Sequence, residues 1–162
     1  MQVFDNVSMI AAVGKNNELG KNNELIWRIK EDLKFFKEYT MGKQMIMGYN
    51  TFHSLRGGKH IVLTRNHESD IEKNEQIYIV HSMQELLEYI ENFKQEFVVI
   101  GGASLYKNML EYAKTLVLTE IDAESKADVY FPRIDENEWN KETIYEGNEN
   151  GIVYKRKLYV RK

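Results

Sequence analysis

The stretch Glu96-Phe97-Val98-Val99-Ile100-Gly101-Gly102-Ala103-Ser104-Leu105-Tyr106 decides the fold, because an apolar run ends at two glycines and a helical pattern opens directly after them. Glycines at such a point permit close approach of a ligand and backbone torsions that other residues avoid. The amides at the start of the following helix favour an anion such as a pyrophosphate. Gly101, Gly102, Ala103, Ser104, Leu105 and Tyr106 are therefore a candidate nucleotide-cofactor site. A plain strand-to-helix turn looks the same, so the choice rests on the rest of the chain.

Outward from this turn, the chain alternates strand and helix. Val7 to Val13 reads as a strand, and Asn16-Asn17, Gly20 and Asn22-Asn23 then mark an irregular polar loop ending at Leu25-Ile26-Trp27. A helix is expected from Ile29 to Tyr39, strands over 44–47 and 60–63, a short helix over 50–55, and a strand over 77–80. Ser82 reads as an N-cap, with Glu85 completing a capping box before Leu86, Leu87 and Ile90. Strands at 97–100 and 116–121 follow, and Ile152 to Val160 alternates as a long strand without a helix after it.

This alternation predicts an α/β fold with a mostly parallel central sheet flanked by helices, closed by a C-terminal antiparallel edge hairpin. At 162 residues and 43% hydrophobic content, residues 1–162 are expected to bury one core and form a single domain. In open sheets of this kind ligands bind beyond the strand C-termini, where Thr64-Arg65, His81-Ser82 and Gly101-Gly102 fall.

Composition excludes several function classes. With no cysteine there is no disulfide scaffold and no thiolate metal site, which suits a reducing cytoplasm. The four histidines, His53, His60, His67 and His81, lack metal-ligand spacing, so no metal is expected. The 22 basic residues are scattered among 25 acidic ones, for a net charge of -3, which gives no footprint for nucleic acid. No segment approaches the roughly 20 apolar residues of a membrane span, and the Met1 to Asn6 start lacks an export pattern. A soluble, cytoplasmic protein is expected, with a monomer as the default.

In the first helix, Ile29, Leu33 and Phe36 define an apolar stripe, and Asp32 sits inside it. A carboxylate on a core-facing surface is costly unless it is hydrogen-bonded or paired. A core-edge aspartate satisfied by backbone or water accounts for the pattern. The functional alternative is a carboxylate anchoring a buried ligand: its two oxygens can accept a matched pair of N–H donors from a heterocycle and assist proton transfer.

Several motifs carry a common resemblance. Val7-Ser8-Met9-Ile10-Ala11-Ala12, the Gly20-to-Trp27 loop, Asp32-Leu33 with Phe36, Ile46-Met47-Gly48 with Thr51-Phe52, Ile61-Val62-Leu63-Thr64-Arg65, Ile100-Gly101-Gly102 and Thr119-Glu120-Ile121 together resemble the dihydrofolate reductase family over nearly the whole chain. The resemblance implies that NADPH delivers a hydride to the dihydropterin ring of dihydrofolate while a proton reaches the adjacent ring nitrogen, giving tetrahydrofolate.

It also implies residue roles. Asp32 would anchor the pterin and promote protonation through water, Thr119 would join that network, and Trp27 would hold an ordered water. Ile10, Leu33, Phe36 and Leu55 would wall the pterin and aminobenzoyl rings, although by periodicity all four read equally well as core. Ala12 and the loop carrying Leu19 and Gly20 would cover the nicotinamide and gate turnover. Asn50 and Thr51 would meet the pyrophosphate together with residues 101–106. Thr64, Arg65 and His81 would meet the adenosine ribose and its 2'-phosphate, Arg65 being the discriminator for NADPH over NADH.

Three departures from the family pattern stand out. Ile26 replaces a proline before the loop tryptophan, which loosens that hinge. Tyr49 replaces an arginine after Met-Gly, so cofactor affinity leans more on Arg65 and the helix terminus. Leu55-Arg56-Gly57-Gly58-Lys59-His60 is shorter than the family's loop, and Gly58 falls where an arginine would grip the substrate's glutamate tail. Either Arg56 or Lys59 supplies that charge, or the tail is held weakly. Two other readings stay open: a related pteridine or pyrimidine reductase of the same fold, against which Asp32 speaks, and a nucleotide-binding module without turnover.

Overall fold

The computed structural model describes residues 2–21, 24–52, 60–65 and 76–162. The elements run β1 (Phe4–Val13), β2 (Glu18–Lys21), β3 (Glu24–Leu25), α1 (Lys30–Thr40), β4 (Gln44–Gly48), α2 (Tyr49–Phe52), β5 (His60–Leu63), β6 (Ile77–Val80), α3 (Met83–Asn92), β7 (Phe97–Gly101), α4 (Ala103–Met109), β8 (Ala113–Ile121), β9 (Val129–Tyr130), β10 (Trp139–Glu149) and β11 (Ile152–Arg161).

Eight strands form one sheet in the order β10-β11-β8-β1-β7-β4-β5-β6. The strands from β8 to β6 pair in parallel. β11 runs antiparallel to β8 and to β10. The expected parallel sheet with an antiparallel edge hairpin is thus the fold observed.

Side chains of the central strands alternate between two cores. Val7, Met9 and Val13 of β1 and Phe97 and Val99 of β7 join Leu86 and Ile90 of α3 and Leu105, Tyr106 and Met109 of α4 on one face. Ile10, Val98, Ile100, Met45 and Met47 face the other way, against Phe35, Phe36 and Tyr39 of α1 and Tyr49 and Phe52 of α2. Each large apolar side chain so buried contributes about 1.5–3 kcal/mol relative to exposure, so these two layers dominate the stability of the sheet.

Local departures from the sequence reading have local causes. Ser82 caps α3, its Oγ accepting the Glu85 N–H at 3.1 Å. The return arm of the capping box is displaced by one residue, because the Glu85 carboxylate accepts the His81 backbone N–H at 3.0 Å instead. In α1, Leu33 is 42% exposed, so the inward stripe passes through Ile29, Asp32, Phe36 and Tyr39 rather than through Leu33.

The segment expected to be an irregular loop instead forms strands. β2 pairs with β3 and, across more than a hundred residues, with β9, giving a second, three-stranded sheet. Glu18 organises it from a buried position, accepting the Asn16 N–H at 2.6 Å and the Ser125 N–H at 2.9 Å. Gly14 is required beside it: a Cβ there would lie 2.6 Å from both Glu18 Oε1 and Trp27 Cη2.

Burial pushes the Glu18 carboxyl up, but the N–H groups of Ser125, of Glu18 itself and of Asn16 outweigh that and hold it below the ordinary glutamate value. A lowered folded pKa contributes stability that is complete above the ordinary carboxylate range and is lost as pH falls through the folded value. Hydrogen-exchange protection of the Asn16 and Ser125 amides, corrected for intrinsic rates, is therefore expected to fall below about pH 4. Glu18→Gln is expected to lower it at neutral pH by roughly tenfold and to flatten its acid dependence; protection indifferent to both changes would remove Glu18 from this role.

Candidate active site

All the parallel strands end on one edge of the sheet, and α1 crosses one face beside β8 and β11. Asp32 lies in the first turn of α1, at a helix start whose backbone amides are otherwise orphaned. Those amides find a distant partner: the Lys30 and Glu31 N–H groups donate to the Glu149 carboxylate at 2.9 and 3.4 Å. An anion at this end also complements the helix dipole. The β10–β11 hairpin thus holds the end of α1 that carries Asp32.

Thr119 of β8 donates to Asp32 Oδ1 at 2.5 Å. Arg156, paired with Thr119 across β11 and β8, donates from Nη2 to the same Oδ1 at 2.8 Å and from Nε to Thr119 Oγ1 at 3.3 Å. Its remaining donors go to Glu31, with Nη2 to Oε1 at 2.6 Å and Nη1 to Oε2 at 3.1 Å. Tyr154 donates to Glu31 Oε1 at 2.9 Å. The guanidinium is 2% exposed and lies 3.9 Å from the Phe35 ring centroid and 5.0 Å from that of Tyr145.

Charge pairing sets the protonation of this group. Burial pushes the Glu31 carboxyl up, and hydrogen bonds from Arg156 and Tyr154 with the charges of Arg156 and Lys34 reverse this to a net lowering. Burial opposes the Arg156 cation, but Glu31 and Asp32 outweigh it and raise its pKa. Tyr154 is raised by burial and by the Glu31 anion.

Asp32 keeps 17% of its side chain exposed. Both of its hydrogen bonds fall on Oδ1, and among the described residues no donor reaches Oδ2. The carboxylate is therefore fixed from behind with one oxygen left for a ligand. Trp27 and Ala12 pack against the cluster of Ile29, Ile121 and Tyr154. Ile10 is buried and Phe36 partly so in the core beneath, while exposed Leu33 flanks Asp32 on the helix. Leu55, Arg56 and Lys59, with Gly58, lie outside the described residues.

Across the sheet, β4 and β7 end together, with Met47 opposite Gly101. Gly101 has φ +130°, the Gly101-Gly102 peptide is cis, and Gly102 caps α4. A Cβ on Gly101 would lie 3.3 Å from Thr51 Oγ1, and one on Gly102 3.7 Å from it, so bare backbone faces α2, which also carries Asn50. Ala103 and Ser104 remain accessible at the start of α4, whereas Leu105 and Tyr106 are core side chains. Tyr106 instead donates to the Ile10 carbonyl at 2.6 Å, tying α4 to β1. The Tyr106 ring also lies beside the turn, 3.7 Å from where a Cβ on Gly101 would stand.

At the ends of β5 and β6, the Thr64 N–H bonds the Val80 carbonyl at 3.0 Å. The Thr64 hydroxyl is buried without a hydrogen-bond partner among the described residues. Arg65 is exposed just beyond it. His81 Nδ1 lies 3.3 Å from Glu85 Oε2. In the second sheet Gly20 is buried, its carbonyl accepting the Asp128 N–H at 3.1 Å, and Leu19 packs against the core. No group of residues able to hold a metal ion occurs among the described residues, and no helix among them is long and apolar enough to cross a membrane.

Sequence reasoning missed Glu31, Tyr154, Glu149 and Arg156. One signal was available for Arg156: it shares period-2 parity with Tyr154 and Leu158 in β11, and so points to the side of the sheet that α1 covers.

The structural comparison supplies the class. A dihydrofolate reductase from Enterococcus faecalis, solved in complex with NADP(H) and RAB-propyl, superposes with a TM-score of 0.84 at 28% identity over 96% of each chain. Together with the sheet order and the helix-borne carboxylate, this defines an α/β oxidoreductase. Residues 6–161 match the dihydrofolate reductase family. The dihydrofolate reductase of Bacillus subtilis is 34% identical over 96% of this chain and 95% of its own, and that of Buchnera aphidicola from Acyrthosiphon pisum is 39% identical over 78% and 79%. The chain belongs to the dihydrofolate reductase family.

Gly101→Ala is expected to cost about 1–3 kcal/mol in urea denaturation, because an alanine resists φ +130° and its methyl would press on Thr51. Gly102→Ala has more room and no positive φ, and is expected to cost less; the reverse order would show that the torsion at 101 is not the constraint.

Proposed function

We propose that Asp32 is the substrate anchor of this enzyme, and that the strand ends around Gly101 and Thr64 hold its cofactor. The reaction is the NADPH-dependent reduction of 7,8-dihydrofolate to 5,6,7,8-tetrahydrofolate. The observation that carries the site assignment is the Asp32 carboxylate, fixed through Oδ1 by Thr119 and Arg156 with Oδ2 left over.

The pterin presents N–H donors at its edge, and Oδ2, the oxygen not engaged by Thr119 and Arg156, can accept from them. Asp32 fills this role, and a proton is passed through its hydrogen-bond network to the ring nitrogen beside the reduced carbon. Thr119 keeps the carboxylate in register, and Trp27 closes the site over it. Ile10, Leu33, Phe36 and Leu55 supply apolar walls that exclude water and hold the ring at hydride-transfer distance. Arg56 or Lys59 holds the glutamate tail.

NADPH, when bound, supplies the hydride. The chain's own groups fit it: a Cβ-free backbone edge at Gly101 and Gly102 beside Thr51 and Asn50, and a buried Thr64 hydroxyl awaiting a partner. Ala103 and Ser104, with the backbone of Leu105 and Tyr106, receive the pyrophosphate. Arg65 pairs with the 2'-phosphate, flanked by His81, whose Glu85 partner keeps a carboxylate nearby. Ala12, Leu19 and Gly20 cover the nicotinamide. We further propose that one domain carries the whole reaction, as a cytoplasmic monomer without nucleic-acid partners. The mixed surface charge and the absence of cysteine support this.

The direct test is loss of NADPH absorbance on adding dihydrofolate. Asp32→Asn is expected to lower kcat at neutral pH by roughly 10²–10⁴-fold while leaving the folded spectrum unchanged; a rate near that of the unmodified enzyme removes Asp32 from the assignment. Arg65→Ala is expected to raise KM for NADPH by about 10–100-fold and that for NADH very little, since a charge-assisted contact of about 1.5–3 kcal/mol is lost with only one of them. Equal effects on both would place the 2'-phosphate elsewhere.

A further inference from the structure

Asp32 does not stand alone at the substrate end of the site. Arg156 reaches it from β11, donating to Oδ1 at 2.8 Å, to Thr119 Oγ1 at 3.3 Å and to both oxygens of Glu31. A cation buried to 2% exposure needs close anions, and this one has two, on consecutive residues of α1. Its planar fork fixes their relative orientation in a way that a rotating ammonium would not. Phe35 at 3.9 Å and Tyr145 at 5.0 Å limit where the guanidinium plane can lie.

We propose that Arg156 is a positioning residue for the reaction: with Glu31 as its counter-anchor, it aims Asp32 Oδ2 at the pterin. This rests on the assignment of Asp32 as the substrate anchor. Arg156 touches neither substrate nor cofactor and acts through Asp32.

The charged and titratable groups around Asp32 come from four elements. Glu31 and Lys34 lie on its own helix, Thr119 is on β8, Arg156 and Tyr154 are on β11, and Tyr145 and Glu149 belong to β10. Arg156 is the cation among them in direct contact with Asp32. Glu31, held by both Arg156 and Tyr154, absorbs the second half of its charge. Removing the guanidinium would leave Asp32 beside an unneutralised Glu31, with Oδ1 held by Thr119 alone.

The test compares Arg156→Met, Arg156→Lys and the Glu31→Gln/Arg156→Met pair with the unmodified enzyme, by steady-state kinetics with dihydrofolate and by the dissociation constants of NADPH and of folate. In Arg156→Met, kcat/KM for dihydrofolate is expected to fall about tenfold or more. The dissociation constant for folate is expected to rise by a similar factor, and that for NADPH to stay within about twofold. Arg156→Lys restores kcat/KM only in part, since an ammonium keeps the charge but not the planar fork. The double variant, which removes the orphaned anion, reports on the same quantities if Arg156→Met alone folds poorly.

Lowered thermal stability with kcat/KM and folate affinity unchanged would overturn the proposal and leave Arg156 as a brace of the fold. Folate binding needs no turnover, so an unmodified chain that failed to reduce dihydrofolate would sink the substrate assignment, while folate affinity that still fell in Arg156→Met, with NADPH affinity kept, would uphold the coupling.

Discussion

The buried Arg156 cation is the constraint around which the substrate half of the molecule is arranged. A guanidinium out of water is strongly unfavourable unless its donors are satisfied, and here they reach Glu31, Asp32 and Thr119. Those partners sit on α1 and β8, while the cation sits on β11, so satisfying one side chain fixes the position of a helix against two strands. Losing one partner of a buried pair typically costs about 3–5 kcal/mol, because the other charge is left behind. A hydrophobic substitute of equal volume often gives equal stability. The charged arrangement is therefore better explained by what it does to the position of Asp32 than by what it adds to the fold.

The hairpin that supplies Arg156 is a mostly solvated edge. β10 is exposed along nearly its whole length, yet Glu149 at its end receives the first amides of α1, and Gly147 faces Tyr154 so closely that a Cβ would come within 2.5 Å of the ring. Tyr154 in turn holds Glu31. An edge strand with little core of its own thus contributes through a chain of polar contacts that leads to the carboxylate.

What was legible in the sequence follows the same division. Strands and helices that bury apolar faces announced themselves by periodicity, and the Gly101-Gly102 turn by its glycines. Asp32 was visible because a carboxylate interrupts an apolar stripe. Arg156 was not, since Lys155-Arg156-Lys157 reads as a run of solvated cations unless the parity of β11 is followed through Tyr154 and Leu158. β10 was missed because its residues, from Asn140 to Glu146, are mostly polar and carry no buried alternation. The strands β2, β3 and β9 are two to four residues long, and β2 pairs with β9 across more than a hundred positions, a partnership that no local pattern encodes. Leu105 and Tyr106, apolar residues beside a ligand-like glycine turn, also serve the core.

The two ends of the site therefore depend on different physics. At the proposed cofactor end, recognition would be carried by backbone geometry at Gly101 and Gly102 and by the Thr64 hydroxyl, with Tyr49 standing where the family pattern has a cation and Arg65 out in solvent. Surface charges there act through a high dielectric and are weakened by salt. At the substrate end a buried cation and two carboxylates act in a drier environment, where each interaction is stronger and more sensitive to position. Substitutions around Arg65 should then alter affinity in proportion to the charge removed. Substitutions anywhere along the path from Glu149 through Tyr154 and Glu31 to Arg156 act instead on the aim of one carboxylate oxygen, so residues remote from both ligands have a route to the rate of the chemical step.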